Sequence, residues 1–586
     1  MIGTLGGMKL NMKKNNNEKQ IKTDNKEKKQ DKKGKLKKHI NININFGIVA
    51  IILIAIYCIC VTPITFQNDT YYTIKIGELI QSNGIDMMDH FSWHENLSYT
   101  YPHWLYDFCT YLIYAIGGFK GVYIVTCALS AILGISLFLV NSKLTKSKSM
   151  SFIITVGAIY VLKPYIAARA QLVTFILFIW ELFFIEKFIE NKKIGYGIGL
   201  ILISILIANL HVATWPFFFV LFLPYVAEYL IALVSDVIIY KKVKLLVIKQ
   251  KMKKAQKKNN IERLKELQLK LQEQEDKNSK IKDKRQNENN SYKLVIKRKE
   301  NVKFLIIIMI ICAFTGLLTP LGNTPYTYLY KTMQGNTTQN ISEHLPLTLI
   351  NNENAMCILI MFLAILIFTK VKIRLSDLFM LSGLCYLMFS TRRQFSIFVL
   401  ICSVILTKFI VDLINIYTKN RIKEFEDAFK NVFVVISLTV LMGLISYNIV
   451  KPKFDDKFVD SKSYPVEACD YILENINLDT ARFYNEYNFG SYMLFRGIPV
   501  FIDSRADLYA PEFSGNKDED IFTDFINTSS ISKFYEDTFK KYNITHVILG
   551  KNSKTNMIIT KTHDKNYKEI YSDDNFVIYE RLSANE

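Results

Sequence analysis

The sequence predicts an α-helical polytopic membrane protein with about eleven transmembrane helices and a small α/β domain after the last of them. Half of the 586 residues are hydrophobic, and apolar runs recur along residues 46–450. Lys and Arg are concentrated in every second connection between these runs. The final segment, 451–586, instead alternates strand-like and helix-like stretches, which is typical of a folded α/β domain.

The predicted spans are apolar runs that approach the roughly 17 to 25 residues needed to cross a bilayer. They lie at 46–65, 119–140, 150–167, 171–189, 194–210, 214–238, 304–319, 354–370, 374–391, 395–416 and 431–449. The segment from His103 to Ile116 is apolar but short, contains Asp107 and ends at two glycines. We therefore expect it to lie along the membrane surface as an interfacial helix.

The orientation follows from the excess of Lys and Arg in cytoplasmic connections. We expect residues 1–45 to form a basic, disordered cytoplasmic tail and 239–303 to form a Lys-rich cytoplasmic insert. The first six spans then lie in 46–238, with a large outer loop at 66–118, and the other five lie in 304–450. An odd number of spans places 451–586 outside the cytoplasm of a multi-pass plasma-membrane protein.

The net charge of +20 does not indicate a nucleic-acid partner. The basic residues form two blocks that are poor in aromatic residues, whereas a binding patch would interleave the two. In the second block, Ile261, Leu264, Leu267 and Leu271 follow helical spacing. A short coiled coil would explain that stripe, but we favour a charged linker with one solvated helix.

The C-terminal domain is expected to have its own core. Its predicted strands are Ala481–Tyr484, Ile498–Ile502, Thr545–Leu549 and Phe576–Tyr579, and its predicted helices include Val466–Asn475 and Ser530–Tyr542.

Candidate catalytic residues are concentrated in the first outer loop. Asp69 follows the first span, where a carboxylate could accept a proton from an acceptor or bind a divalent cation. The alternative is an N-cap of a helix from Thr70 to Ser82. Asp89 and His90 could add a second carboxylate and an imidazole, and a simple turn is their alternative.

Candidate substrate-binding residues lie at the outer ends of later spans. Arg169, Arg392 and Arg393 suit a lipid phosphate or diphosphate, with snorkelling to headgroups as the alternative. His103 and His211 also fall in outer connections, and Glu343 with His344 could face the same cavity or form an exposed loop pair. In the tail, Asp503 and Arg505 follow a predicted strand and could form either a site or a buried structural pair.

These features resemble the GT-C glycosyltransferases, in which a large outer loop with an acidic motif follows the first span. The resemblance covers nearly the whole chain except the basic tail and the insert. Its motifs are Asn68-Asp69, Gly77 to Gly84, Asp89 to Trp93, Pro102 to Leu105, Gly117-Gly118, Glu343 to Pro346, Ser390 to Arg393 and Tyr484 to Tyr509.

The resemblance implies a polyprenyl-phosphate sugar donor, with inverting hexosyl or pentosyl transfer to a lipid, glycan or protein acceptor. It also implies that Asp69 is the catalytic carboxylate of the loop and Asp89 a second polar member of the site. Asp69 is followed by Thr70 and Tyr71, whereas many relatives carry a tight acidic pair. Whether Asp69 acts as a base or, with Asp89, as a ligand of Mg²⁺ or Mn²⁺ therefore stays open.

Two other functions remain as alternatives. A multi-pass transporter or lipid flippase also has many spans, but such proteins typically show internal repeats and charges near the bilayer midplane. A non-catalytic assembly or sensor protein would use the outer tail to bind a partner. We favour the transferase because of the resemblance.

Overall fold

The computed structural model describes residues 45–239, 242–288, 293–418, 421–514 and 519–582. The predicted basic tail at 1–45 therefore lies outside the described residues, except for Asn45. Within the described ranges, a helix coincides with each predicted apolar span.

The first part of the chain is almost entirely helical. It forms α1 (Phe46–Val61), α2 (Asn68–Asn83), α3 (Trp104–Thr145), α4 (Lys148–Leu162), α5 (Ala170–Asn191), α6 (Ile194–Leu210), α7 (Trp215–Val220) and α8 (Leu223–Ile239). The insert contributes α9 (Lys242–Lys257), α10 (Ile261–Glu288) and β1 (Leu294–Val295).

The second part of the bundle follows the insert. It forms α11 (Val302–Phe314), α12 (Thr324–Gln334), α13 (Thr337–Asn340), α14 (Glu353–Phe368), β2 (Ile373–Arg374), α15 (Leu375–Ser390), α16 (Phe395–Tyr417), α17 (Ile422–Ala428) and α18 (Val432–Val450).

Several of these helices have the length and composition of membrane spans. In the described ranges, the four segments Trp104–Thr145, Val212–Ser235, Arg392–Tyr417 and Val432–Lys453 are long and apolar enough to cross a membrane. Shorter apolar helices accompany them at Phe46–Val61, Ile194–Leu210, Val302–Leu317, Glu353–Phe368 and Leu375–Ser390. The chain is therefore an α-helical polytopic membrane protein, as the sequence predicts.

The predicted interfacial segment and second span follow each other directly in α3. Gly118, with φ 57° and ψ −155°, breaks the helical geometry inside it. Only glycine adopts such a backbone without strain, so the helix changes direction there. The predicted break at the two glycines is confirmed, and α3 consists of two helical segments that meet at Gly118.

The C-terminal domain follows α18. Its elements are α19 (Val466–Asn475), β3 (Phe483–Tyr484), α20 (Tyr487–Phe495), α21 (Pro511–Ser514), α22 (Ile521–Ser530), α23 (Tyr535–Lys541), β4 (His546–Gly550), α24 (Lys554–Thr562), β5 (Tyr567–Ser572) and β6 (Phe576–Arg581). The sheet order is β3-β4-β6-β5, in which β3 and β4 are parallel and the other two pairs are antiparallel.

The structure corrects two predicted elements of this domain. Ile498–Ile502 is not a strand of the sheet: its Val500 forms an isolated bridge with Ser92 of the first loop. The predicted helix Ser530–Tyr542 is instead the end of α22, a turn at Ile531 with φ 66°, and α23. Strand β5 was not predicted, because its sequence is too polar to show an apolar alternation.

The first outer loop and the C-terminal domain share one hydrophobic core. Tyr71 of α2 and Tyr101 of the loop are buried in the same cluster as Phe501 of the domain. The indole Nε1 of Trp93 donates to the carbonyl of Phe483 at 2.9 Å. The loop therefore lies between the helical bundle and the C-terminal domain and packs against both. We call this side of the bundle the outer side, after the orientation that the sequence predicts.

The insert forms a pair of helices rather than the single solvated helix that we favoured. Ile248 and Ala255 of α9 are buried against Leu267 of α10, with Leu264 and Leu271 packed beside them. The apolar stripe of the second helix was visible in the sequence, but its partner was not, since α9 is rich in lysine.

Candidate active site

A cavity of about 850 Å³ lies between the outer ends of the helices and the C-terminal domain. We call it the central cavity. Its walls come from the start of α2, the starts of α3 and α5, the loops around α12 and α13, and the segment 504–508 of the domain. Eight of the candidate residues from the sequence analysis line it, namely Asp69, His103, Arg169, His211, Glu343, His344, Arg393 and Arg505.

Asp69 lies in the first turn of α2, and Gln67 is the residue at the N-cap. The N-cap alternative for Asp69 is therefore wrong. Its Oδ2 atom lies 2.5 Å from Nη2 of Arg169, the residue immediately before α5. The position in the first turn also favours a negative charge, because the helix dipole is positive at its N-terminus.

Arg169 joins two carboxylates. Its Nη1 atom lies 3.2 Å from Oε1 of Glu343, while Nη2 holds Asp69. Burial tends to raise the pKa of Glu343, but Arg169 and Arg393 outweigh burial and lower it. Burial opposes the charge of Arg169 as well, yet Asp69 and Glu343 raise its pKa above the usual value. Glu343 and Arg169 are therefore both charged at neutral pH.

Arg393 is held differently. Its Nη2 atom lies 3.5 Å from Nε2 of His211, whose Nδ1 atom lies 3.0 Å from the hydroxyl of Thr174. Because a guanidinium only donates, His211 accepts at Nε2 and carries its proton on Nδ1. The Thr174 hydroxyl in turn donates to the carbonyl of Ala170 at 3.1 Å. Among the described residues, no carboxylate forms an ion pair with Arg393.

His103 and His211 form a neutral pair of rings. Their centroids lie 4.9 Å apart in an edge-to-face arrangement. Burial, followed by the charges of Arg393 and Arg169, lowers the pKa of His103 to about 3. Burial and His103 itself, followed by the same two arginines, lower the pKa of His211 well below its usual value. Both rings are therefore uncharged at neutral pH.

Arg392, His90, Asp89 and Asp503 are not in the cavity lining. Arg392 points toward the chain before α14, where its Nε donates to the carbonyl of Pro346 at 3.4 Å. His90 pairs with Asp86 at 2.6 Å, and both side chains are more than a third exposed. Asp89 is buried in the joint between the first loop and the C-terminal domain, behind the lining.

That joint is an ion-pair network with two carboxylates and one guanidinium. Arg505 contacts Oδ1 of Asp89 at 2.6 Å and both oxygens of Asp503 at 2.9 and 2.7 Å, and Tyr509 donates to Asp503 at 2.6 Å. Burial tends to raise the pKa of Asp89, but the charge of Arg505 and the hydrogen bonds from Ser92 and Arg505 together lower it. The geometry agrees with the structural interpretation of the Asp503–Arg505 pair and extends it to Asp89.

Asp507 is a cavity residue that the sequence analysis did not select. Its Oδ2 accepts from the hydroxyl of Tyr328 at 2.6 Å, and its Oδ1 accepts from that of Thr337 at 3.1 Å. It lies two residues after Arg505 in the same sequence motif, and this position was the signal that could have identified it as a candidate.

Neither protein-family models nor curated protein sequences match the chain. Solved structures do. The oligosaccharyltransferase of Archaeoglobus fulgidus in its apo form aligns with 93% of this chain and 75% of its own, at 12% identity and a TM-score of 0.50. The chain has the GT-C fold.

Two further solved structures align over most of the chain. One is the same oligosaccharyltransferase tethered to an acceptor peptide, at 11% identity over 92% of this chain and 74% of its own, with a TM-score of 0.48. The other is ArnT from Cupriavidus metallidurans bound to undecaprenyl phosphate, at 8% identity over 91% and 97%, with a TM-score of 0.42.

The two carboxylates considered for Mg²⁺ or Mn²⁺, Asp69 and Asp89, have separate partners in this fold. Asp69 pairs with Arg169, and Asp89 pairs with Arg505 in a separate, buried network. In the described part of the chain, no three His, Cys, Asp or Glu side chains are grouped as a metal would require. Asp69 and Asp89 therefore do not fit a shared cation site in this arrangement.

Proposed function

We propose that the chain is a membrane glycosyltransferase that moves a sugar from a polyprenyl-phosphate donor to an acceptor in the central cavity. The main support for the proposal is that Asp69 and Arg393 line the same cavity. Asp69 supplies a carboxylate, and Arg393 supplies a cation that forms no ion pair with a described carboxylate. Transfer from a sugar phosphate needs a base for the acceptor and a cation for the leaving phosphate.

Asp69 is the proposed base. It would accept the proton of an acceptor hydroxyl or amine as the acceptor atom bonds to the anomeric carbon from the face opposite the phosphate. The bond between that carbon and the phosphate oxygen breaks in the same step, and its electron pair leaves with the phosphate. Arg169 orients Asp69, because Oδ2 is fixed by the 2.5 Å contact and Oδ1 is left for the acceptor.

Arg393 is the proposed phosphate-binding residue. Arg169 contacts two carboxylates directly, so its charge is offset, whereas Arg393 forms no direct ion pair among the described residues and its guanidinium contacts the neutral His211. A guanidinium in a partly dry site binds a phosphate through charge-assisted hydrogen bonds. His211 would keep the Arg393 fork directed into the cavity, and the neutral His103 could bind a sugar hydroxyl.

The distribution of apolar and polar lining supports a lipid-linked donor. On the bundle side the cavity is lined by apolar residues, including Phe217, Val220, Leu329, Met333 and Leu387. On the domain side it is lined by polar residues, including Tyr487, Asn488, Ser504 and Asp507. We assign the first wall to the isoprenoid chain and the second to the sugar and the acceptor.

The test is transfer of radiolabel from polyprenyl-phosphate sugars to acceptors in membranes with matched amounts of each variant. We expect Asp69→Asn to lower transfer by about 10²- to 10⁴-fold, as for removal of a general base. Glu78→Gln is the matched control, since Glu78 lies on the same helix and pairs with Lys75 away from the cavity lining. Equal transfer by Asp69→Asn and the wild type would contradict the proposal.

A further inference from the structure

The first helix of the insert, α9, carries an unusual charge. It contains seven lysines and no acidic residue, whereas α10 has eight basic and seven acidic residues. The two helices pair through Ile248, Met252 and Ala255 of α9. The positive charge of the insert is thus concentrated on one helix of the pair.

The exposed face of α9 combines that charge with apolar side chains. At 100° per residue, Leu246, Lys253 and Lys257 lie roughly 130° to 175° from the buried seam, on the opposite side of the helix. Leu246 is 61% exposed and Val247, at the edge of this face, is 42% exposed. Lys253, Lys254 and Lys257 are exposed and form no ion pair with a described carboxylate, whereas Lys249, nearer the seam, pairs with Glu275 at 3.9 Å.

The helix begins beside the bilayer. Only two residues separate the end of α8 at Ile239 from the start of α9 at Lys242, a distance of about 10 Å at most. The other end of the insert is also tied to the bundle: β1 pairs with β2, and Asn301 donates to the carbonyl of Ile189 at 2.9 Å. Ile189 is near the end of α5, far from Arg169, so the insert lies on the inner side, opposite the cavity.

We propose that α9 lies on anionic lipid headgroups of the inner leaflet, with Leu246 and Val247 inserted among them and Lys253, Lys254 and Lys257 over their phosphates. A basic face with exposed apolar residues beside a span is the chemistry that an anionic bilayer surface binds. This inference is independent of sugar transfer.

The test uses the full chain in nanodiscs of phosphatidylcholine alone or mixed with phosphatidylglycerol. Amide hydrogen exchange is measured for peptides within Leu246–Lys257. We expect exchange to be about tenfold slower with phosphatidylglycerol, because lipid binding opposes local opening of the helix. Raising the salt concentration should remove the difference, since the attraction is screened.

The variant Lys253→Gln with Lys254→Gln and Lys257→Gln should exchange equally in both lipids. The matched control replaces Lys265, Lys270 and Lys277 of α10 by Gln, which removes the same charge and should keep the slowing. Equal exchange of the wild type in the two lipids would overturn the proposal. Slowing by an added polyglutamate peptide, without any effect of phosphatidylglycerol, would overturn it in favour of an acidic protein partner.

Discussion

At the scale of residues, two arginines that look alike in the sequence have different partners in the central cavity. Arg169 faces Asp69 and Glu343, and Arg393 faces a neutral histidine. A guanidinium between two carboxylates orients them, whereas one that forms no direct ion pair can bind an added anion. From these partners we propose that Arg169 orients Asp69 and that Arg393 binds the donor phosphate.

The neutral histidine pair has a consequence for pH dependence. Because the pKa of His103 is lowered to about 3, the ring stays uncharged between pH 5 and 8. We expect His103→Gln to change the rate of transfer while leaving the shape of its pH profile unchanged in that window. The profile of wild type and variant membranes checks this. A step near the ordinary histidine pKa of about 6.5 that disappears in the variant would contradict it.

At the scale of elements, α2 and α3 cross at Gly77. A Cβ atom there would lie 2.2 Å from the carbonyl oxygen of Asp107 and 2.5 Å from Cβ of Tyr111. Only glycine therefore allows the close approach that fixes α2, and with it Asp69.

Replacing Gly77 by Ala should push the two helices apart. We expect a destabilisation of about 1–3 kcal/mol, typical of overpacking, together with reduced transfer. Thermal unfolding of the purified chain in detergent measures the first effect. Gly117→Ala is the control, because a Cβ atom at Gly117 meets nothing within 4 Å. Equal loss in both variants would indicate that the crossing is not the cause.

The joint between the first loop and the C-terminal domain gives a second prediction at this scale. Asp89→Asn leaves Arg505 without one of its carboxylates in a site where both side chains are at most 2% exposed. Breaking a buried pair in this way destabilises by about 3–5 kcal/mol. Asp470→Asn, in the exposed pair with Arg496, is the control and should have little effect.

The Asp89–Arg505 pair also makes the stability of the folded chain depend on pH in the acid range. The pKa of Asp89 is lower in the folded chain than in the unfolded chain. Its stabilisation is therefore complete above the unfolded value of about 4 and is lost as the pH falls through the lower folded value. Thermal unfolding between pH 3 and 6 should show this loss in the wild type, and the loss should be smaller in Asp89→Asn.

At the scale of the whole molecule, the sequence revealed the helices and part of the site. Apolar runs predict spans because each helix in a bilayer must satisfy its backbone internally. Asp69, Arg169 and Arg393 could be grouped because alternate span ends meet on one side of a bundle. The roles of Asp89 and Asp507 could not be predicted, since their partners Arg505 and Tyr328 are distant along the chain and are brought together only by folding.

The mispredicted strand at Ile498–Ile502 has a similar cause. Its apolar residues are buried, as expected, but they pack between the first loop and the rest of the domain instead of forming a strand of the sheet. An apolar run indicates burial, and only the tertiary arrangement decides which partner covers it. The loop and the domain therefore act as one unit above the cavity.

The most direct test of the central claim separates donor binding from transfer. Binding of a labelled polyprenyl-phosphate sugar to the purified chain should be unchanged in Asp69→Asn, which fails to transfer it. In Arg393→Gln, binding should weaken by about 10- to 100-fold, the loss expected for hydrogen bonds from a charged group. Unchanged donor binding in Arg393→Gln, or full transfer by Asp69→Asn, would contradict the assignment of these two residues.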